Sequence, residues 1–402
     1  MWRKQVKILL DKIKKILASE HLLGLQQKTS RQFATEAKFQ TKPFLLHLLD
    51  HGPASEVTLT KQDALTCFER MTTIRKMEAG INNLYKAKIV RGFCHLYSGQ
   101  EAVGVGVYAS LRKNDTVITS YRNHAWAFLC NHQSVLPVIG EVAGTKSGTS
   151  RGKGGSMHLY GPNFYGGNAI VGAQVPLGVG IALAHKYRKT DFVSLTIYGD
   201  GAANNGQVFE AFNMAKMWDL PCLFLCENNL YSMGTSVPRS TANPDFYKKG
   251  DVIPGLFVDG MDLVSVKEAA RFAVEFCASG KGPIILEAKT YRYFGHSLSD
   301  PGTSYRTHDE IQEVRKSRDP INNFKNQIIA ANLVTADELA ELDKKVKKIV
   351  DGAIKAAKAD KEVGLEELTY DIYANQVIQE VRSVNPFQNM KHKTTGLVIN
   401  KK

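Results

Sequence analysis

The chain has 402 residues, 43% of them hydrophobic and 9% aromatic, a balance that excludes a disordered protein and fits a globular one of enzyme size. Its formal charge of +13 sits at the ends: residues 1–33 carry +6 and residues 382–402 carry +5, which leaves +2 for residues 34–381. A nucleic-acid-binding reading thereby loses its main support, and no nucleic-acid partner is expected.

Residues 1–33 mix Lys and Arg with Ile and Leu at helical spacing, the basic amphipathic character of a mitochondrial presequence, which Asp11 and Glu20 weaken without removing. Processing is expected between Arg31 and Ala34, and location in the matrix follows. No apolar run is long enough to cross a bilayer, so membrane insertion is not expected. Residues 34–59 form an N-terminal extension and residues 60–375 the main domain, with its C-terminal helices; residues 376–402 form a polar, basic tail expected to be mobile. The N-terminal extension and the C-terminal end of the main domain are expected to be helical.

Within the main domain, Leu65, Phe68, Met71, Ile74, Met77 and Ile81 recur at three- and four-residue steps, which predicts an amphipathic helix over Thr60–Ala87 opened by Thr60 and Asp63. Helices and short apolar strands then alternate: strand Val117–Ser120, helix Pro176–Tyr187, strand Val193–Tyr198, helix Gln207–Trp218, strand Leu223–Cys226 and strand Ile284–Lys289. This succession predicts an α/β fold, a central mostly parallel sheet with helices on both faces. Between Gly140 and Gly180 the chain is Gly-rich and polar, and a loop that lets backbone approach a ligand is expected there. A charged helix over Thr335–Ala359 starts on a Thr335/Glu338 capping box. The six cysteines form no Cys-x-x-Cys pair, which argues against a zinc site or a disulfide scaffold.

The chemistry concentrates at Gly199-Asp200-Gly201, directly after a predicted strand, and at Glu227-Asn228-Asn229, which closes the next one. Residues at the carboxyl ends of neighbouring parallel strands meet in one crevice, so Asp200 and Asn229 can face each other. A carboxylate, an amide carbonyl and a backbone carbonyl make a hard oxygen set suited to magnesium, which keeps phosphate oxygens among its ligands. An isolated Gly-Asp-Gly is more often a simple turn; the pairing with Asn-Asn favours a metal-diphosphate site. Neither Gly-x-Gly-x-x-Gly with a following acid nor a Walker pattern is present.

That pairing resembles the thiamine-diphosphate motif, and further stretches narrow the likeness: Arg91-Gly-Phe-Cys-His95, Gly99-Gln-Glu-Ala102, Tyr121-Arg122, Gly152-Lys-Gly-Gly-Ser-Met-His158, Asn163-Phe-Tyr-Gly-Gly167 and Tyr291-Arg-Tyr-Phe-Gly-His296-Ser-Leu-Ser-Asp-Pro-Gly302. In this order they are similar to the alpha subunits of pyruvate dehydrogenases, a family of thiamine-diphosphate-dependent 2-oxo acid dehydrogenases, over about residues 60 to 390. The resemblance implies the thiamine-diphosphate-binding fold and Mg2+ held by Asp200, the Asn229 side chain and the Tyr231 carbonyl. It implies cofactor contacts from His95, Tyr121, Arg122, Gly161, Ala169, Val171, Gly201, Ala202 and His296. His95 and His296 are the candidates for proton handling, as imidazole titrates near neutrality; His124, His132 and His185 read as ordinary hydrogen-bonded residues.

The implied reaction is oxidative decarboxylation of pyruvate through a hydroxyethyl adduct of the cofactor, with transfer of the acetyl group to a lipoyl group of a dihydrolipoyl acetyltransferase component. The glutamate that activates the cofactor would come from a beta subunit, in an assembly of two alpha and two beta chains. Ser236, Ser297 and Ser304 match phosphorylation positions of the family, which implies a regulatory kinase and phosphatase. Branched-chain 2-oxo acid or acetoin dehydrogenase alpha subunits share the magnesium motif, and a catalytically silent scaffold would keep the fold; intact Asp200, Asn229, His95 and His296 favour the enzyme. Two positions depart from the family pattern: Ala169 stands where relatives have Gly, and Ser98 where Asp commonly stands.

Overall fold

The structure, a computed structural model, describes residues 34–373, 375, 378–382 and 387–393. The expected presequence and part of the tail lie outside the described residues. Residues 34–59 are extended rather than helical: β1 (Glu36–Gln40) pairs antiparallel with β3 (Glu56–Thr60), and β2 (Leu45–His47) between them joins the central sheet. The β-branched and alternating residues of Glu56-Val-Thr-Leu-Thr60 suit a half-buried strand better than a helix, which is the reason for the difference.

Helix α1 (Lys61–Lys86) starts where the sequence places it: the Asp63 N–H donates to Thr60 Oγ1 (3.1 Å) and the Thr60 N–H to Asp63 Oδ2 (3.4 Å). There follow α2 (Glu101–Tyr108), β4 (Thr116–Ser120), α3 (His124–Cys130), α4 (Val135–Ala143), β5 (Phe164–Asn168), α5 (Gln174–Tyr187), β6 (Ser194–Gly199) and α6 (Gly206–Met217). The second half adds β7 (Cys222–Asn228), the small hairpin β8 (Tyr231–Ser232) and β9 (Thr235–Ser236), α7 (Val237–Ser240), β10 (Gly255–Asp259), α8 (Leu263–Ala278) and β11 (Ile284–Lys289). The helices α9 (His308–Arg318), α10 (Pro320–Ala330) and α11 (Ala336–Ala359) close the domain, the last on the expected Thr335/Glu338 box. The described part of the tail includes an antiparallel pair, β12 (Glu380–Arg382) with β13 (Asn389–Lys391).

The central sheet has the order β2-β10-β11-β7-β6-β4-β5, and every pairing in it is parallel except β2 with β10. Side chains of β7 alternate between two cores. Leu223 and Leu225 join the larger core with α1, α2 and α8, while Cys222, Phe224 and Cys226 face the core under α5 and α6. Both faces of the strand are covered, so its sequence is a continuous apolar run without polar alternation. The layer formed by α5 and α6 leaves large apolar side chains outward, Leu177, Tyr187, Phe209 and Met217 among them.

The Gly-rich stretch is only partly loop. Val135–Ala143 is helical, Phe164–Asn168 is the edge strand β5, and α5 starts at Gln174. The loop between α4 and β5 is organised by Glu141, whose buried carboxylate accepts from the N–H groups of Ser150 (2.6 Å), Gly152 (2.9 Å) and Gly154 (2.6 Å). Such a clamp satisfies backbone donors that no ladder reaches, and composition alone does not reveal it. None of the six cysteines is bridged; Cys130 is half-buried and the others are buried.

Candidate functional site

Three adjacent parallel strands end on the residues singled out in the sequence. Tyr121 and Arg122 follow β4, Asp200 follows β6, and Asn229 follows β7; β4 pairs with β6 and β6 with β7. The chain reverses its direction of travel across the sheet here, because β5 lies outside β4 and β6 on its other side. A cavity of about 300 Å³ opens at this switch point, lined by Tyr121, Arg122, Val171, Asp200, Gly201, Ala202, Asn229, Tyr231 and His296 among others.

Asp200 is 2% exposed and among the described residues forms no ion pair; its carboxylate accepts from the Ser232 hydroxyl (3.1 Å) and from the Asn229 backbone N–H. Burial holds its pKa above the ordinary carboxylate range, against the opposing pull of Ser232 and the Arg292 charge. The Asn229 amide is held from both sides: its nitrogen donates to Gln100 Oε1 (3.1 Å), and its oxygen accepts from Arg292 Nε (3.0 Å). Backbone at Leu230 (φ 75°) and Met233 (φ 55°) is left-handed, and within this turn the Tyr231 carbonyl accepts from Arg292 Nη2 (3.1 Å). A Cβ on Gly201 would lie 2.5 Å from Ser232 Oγ, so only glycine lets this turn close beside Asp200.

Arg122 is 5% exposed and among the described residues forms no ion pair; it donates to two carbonyls, Leu96 O (2.5 Å) and His296 O (2.9 Å). Burial, and then the Arg292 charge, lower its pKa to about 10, so it remains a cation at neutral pH. An unneutralised buried guanidinium in a cavity is a site for an anion.

Beyond this pocket lies a wider opening of about 700 Å³, sharing Tyr121, Val171, Met233 and His296 with it and adding Phe93, His95, Met157 and Ala169. The His95 ring lies 4.3 Å from that of Tyr121 and 5.1 Å from that of His296, centroid to centroid. Burial, helped by the Arg122 charge, lowers His95 to about 2 and His296 to about 3. The near-neutral titration expected for these residues is therefore absent from the ligand-free site: both are neutral hydrogen-bonding groups. His95 Nδ1 is buried, without a hydrogen-bond partner among the described residues. An anion bound at Arg122 would offset that charge and raise both values.

Gly161 lines neither cavity; it precedes β5, where a Cβ would meet the Asn131 side chain. Ala169 has no positive φ, so its methyl group is accommodated without backbone strain, and the Ser98 carbonyl accepts from the Tyr293 N–H (3.1 Å). His124 is fully buried between Glu78 and Ser156, and His185 bonds Thr116, as ordinary packed histidines do. Ser297 is buried and shares a hydrogen bond with Ser299 (2.8 Å), Ser304 is exposed on the same loop, and Ser236 is half-buried at the start of α7.

Sequence reasoning left Arg292 without a role and placed Glu227 only within the diphosphate-side motif. Arg292 follows β11 and reaches across the end of β7; its position four residues before His296 was the available signal. Glu227 is wholly buried at the cavity floor, accepts from the Tyr97 hydroxyl and from Trp126 Nε1 (3.3 Å), and is raised by burial to about 7. Among the described residues no cluster of three or more His, Cys, Asp or Glu side chains could hold a metal ion. Asp200, the Asn229 amide oxygen and the Tyr231 carbonyl could hold a cation only together with other donors such as phosphate oxygens. No helix of the described residues is long and apolar enough to cross a membrane.

The family described as dehydrogenase E1 component matches residues 69–366. The chain is 57% identical over 352 residues to the pyruvate dehydrogenase E1 component subunit alpha type I, mitochondrial, of Ascaris suum, covering 88% of this chain and 89% of that protein. It is 53% identical over 388 residues to the somatic form of the mitochondrial alpha subunit of Homo sapiens (94% of this chain, 99% of that protein), and 52% identical over the same span to that of Bos taurus.

Proposed function

We infer that the chain, which belongs to the dehydrogenase E1 component family, is the alpha subunit of a mitochondrial pyruvate dehydrogenase (acetyl-transferring) that works in the matrix. It takes part in the oxidative decarboxylation of pyruvate and the transfer of the acetyl group to a lipoyl group of an acetyltransferase component, so that the whole complex yields acetyl-CoA and carbon dioxide. The observation that carries the chemical part is the meeting of Arg122, Asp200 and Asn229 at the ends of three neighbouring strands, where among the described residues the guanidinium and the carboxylate form no ion pair and His95 Nδ1 has no hydrogen-bond partner.

These residues fit magnesium and thiamine diphosphate. Asp200, Asn229 Oδ1 and the Tyr231 carbonyl would hold the cation, Arg122 would pair with the diphosphate, and the Gly201 turn would let main chain approach it. When bound, thiamine diphosphate supplies the stabilised carbanion and the electron sink that decarboxylation needs and that amino acids do not provide. Tyr121, Val171 and Ala202 would pack against the cofactor and exclude water from it. His95 and His296, neutral in a desolvated pocket, would donate hydrogen bonds to charge developing on the substrate oxygen.

The site lacks one part. The carboxylates lining the inner cavity are Asp200 and Glu227; Asp200 belongs to the cation set and Glu227 is bound by Tyr97 and Trp126, while Glu210 lies exposed on α6. The family likeness assigns the carboxylate for the aminopyrimidine to a beta subunit, and the outward apolar residues of α5 and α6 support burial against other chains in a two-alpha, two-beta assembly. Phosphorylation by a dedicated kinase, reversed by a phosphatase, would act at Ser297, Ser304 and Ser236. Asp300 accepts from the His296 N–H (2.6 Å), the Tyr305 hydroxyl (2.6 Å) and the Gly302 N–H (2.8 Å), so a phosphate on Ser297 would set like charge against the residue that organises this loop.

The test is co-purification with the beta chain and measurement of carbon dioxide release from pyruvate and from 2-oxoisovalerate, and of acetaldehyde release from acetoin, each with and without thiamine diphosphate and Mg2+. Cofactor-dependent turnover that favours pyruvate is expected. Turnover favouring another substrate refutes the pyruvate assignment, and absence of cofactor binding refutes an enzymatic role.

A further inference from the structure

Strand β11 runs parallel beside β7 with Lys289 opposite Asn228, and the Thr290 N–H donates to Asn228 O (2.8 Å). The chain leaving β11 therefore crosses the end of β7, and Arg292 enters the turn that contains Asn229, Tyr231 and Met233. The side chain is 1% exposed, and among the described residues it forms no ion pair. Its hydrogen bonds go to neutral oxygens: Nε to Asn229 Oδ1 (3.0 Å), Nη2 to Tyr231 O (3.1 Å) and to Met233 O (3.1 Å). Two of these three acceptors are the neutral oxygens that the reading above gives to the cation.

Each of those oxygens has two lone pairs, and Arg292 uses one, which leaves the other for a metal. The amide of Asn229 cannot flip, because Gln100 Oε1 holds its nitrogen while Arg292 holds its oxygen. Arg292 is itself supported: Arg306 donates to the Arg292 carbonyl (2.7 Å) and to Phe294 O (2.7 Å). A planar guanidinium spans two oxygens at fixed separation; a lysine ammonium on a flexible stem does not.

We propose that Arg292 is the positioning residue of the cation site, holding Asn229 Oδ1 and the Tyr231 carbonyl in register so that a divalent ion meets a formed set of oxygens. The proposal rests on the reading of this crevice as a metal-diphosphate site. A guanidinium so close to a divalent cation also repels it. The geometric effect outweighs the repulsion, because the hydrogen bonds fix two ligands at once while Asp200 and the diphosphate neutralise the local positive charge.

The experiment uses the assembled alpha–beta protein and Mn2+ as the probe, its free ion counted by electron paramagnetic resonance at saturating thiamine diphosphate. Arg292→Lys keeps the charge and loses the fork; Arg292→Met loses both. Each is expected to weaken Mn2+ binding by about tenfold or more, and to raise the metal concentration needed for half-maximal activity while turnover at saturating metal changes much less. Affinity within twofold of wild type in Arg292→Lys, or tighter binding in Arg292→Met, overturns the proposal. Should neither variant assemble, Arg292→Gln keeps a neutral donor and loses the fork that spans both oxygens; a several-fold loss of Mn2+ affinity is expected, and unchanged affinity overturns the proposal. Wild-type protein that binds no Mn2+ with thiamine diphosphate refutes the site reading itself, a different outcome from wild-type binding that the substitutions leave intact.

Discussion

Replacing Glu227 by Gln tests the electrostatics of the cavity floor. The wild-type carboxyl has an ordinary pKa of 4.5 in the unfolded chain and is raised by burial to about 7 in the fold, where Tyr97, Trp126 and then Arg122 only partly compensate for the lost water. Between these two values the folded state holds a proton that the unfolded state has released, so stability falls as pH rises. The contribution is fully present below pH 4.5 and lost as pH passes through about 7. At about 1.4 kcal/mol for each pH unit, the window is worth about 3 kcal/mol. Gln keeps an acceptor for Tyr97 and Trp126 but has no proton to lose. Any constant cost of placing the amide there is the same at every pH, so only the slope is read. The assay is urea unfolding of the alpha–beta assembly at one protein concentration, free of metal and cofactor, from pH 5 to pH 8. Stability of wild type minus that of Glu227→Gln should fall from pH 5 to about pH 7 and level off above it. A flat difference refutes the argument that burial dominates at this carboxyl.

Asp200→Asn should abolish metal-dependent cofactor binding in equilibrium dialysis yet make the metal-free protein more stable at neutral pH, as it removes a buried carboxylate whose pKa burial raises; a destabilised but binding-competent variant contradicts the assignment. In ligand-free protein the His95 and His296 rings should show no titration between pH 5 and pH 8 by NMR, and the stability they confer as neutral groups, present above their ordinary 6.5, should be lost as pH falls toward 3. Binding of the cofactor should move both values up. Arg75→Met should cost about 3–5 kcal/mol in urea unfolding. Arg75 pairs with Glu101 (2.5 Å) and Asp319 (2.9 Å), and its loss strands two buried carboxylates.

The elements legible in the sequence are those whose signal is local. The Thr60/Asp63 and Thr335/Glu338 boxes open α1 and α11 as expected, since a cap depends on residues three positions apart. The apolar runs of β6, β7 and β11 lie within a residue or two of their expected bounds. Residues 34–59 and the Gly-rich stretch were misjudged, because β1, β2 and β5 gain their hydrogen bonds from strands far along the chain, which composition does not register.

The sequence by itself determined the alternation of strands and helices, the place of Asp200 and Asn229 at strand ends, and the family likeness, all of which depend on residue type and spacing. Tertiary structure alone decided that β4, β6, β7 and β11 stand side by side, and so brought Arg122, Asp200, Asn229 and Arg292 to one crevice. It also decided that His95 and His296 are neutral and that Glu227 is driven toward its acid form. The physical reason is the same in each case: hydrogen bonds between distant residues, and the loss of water around a buried charge, depend on what packs against a group in space.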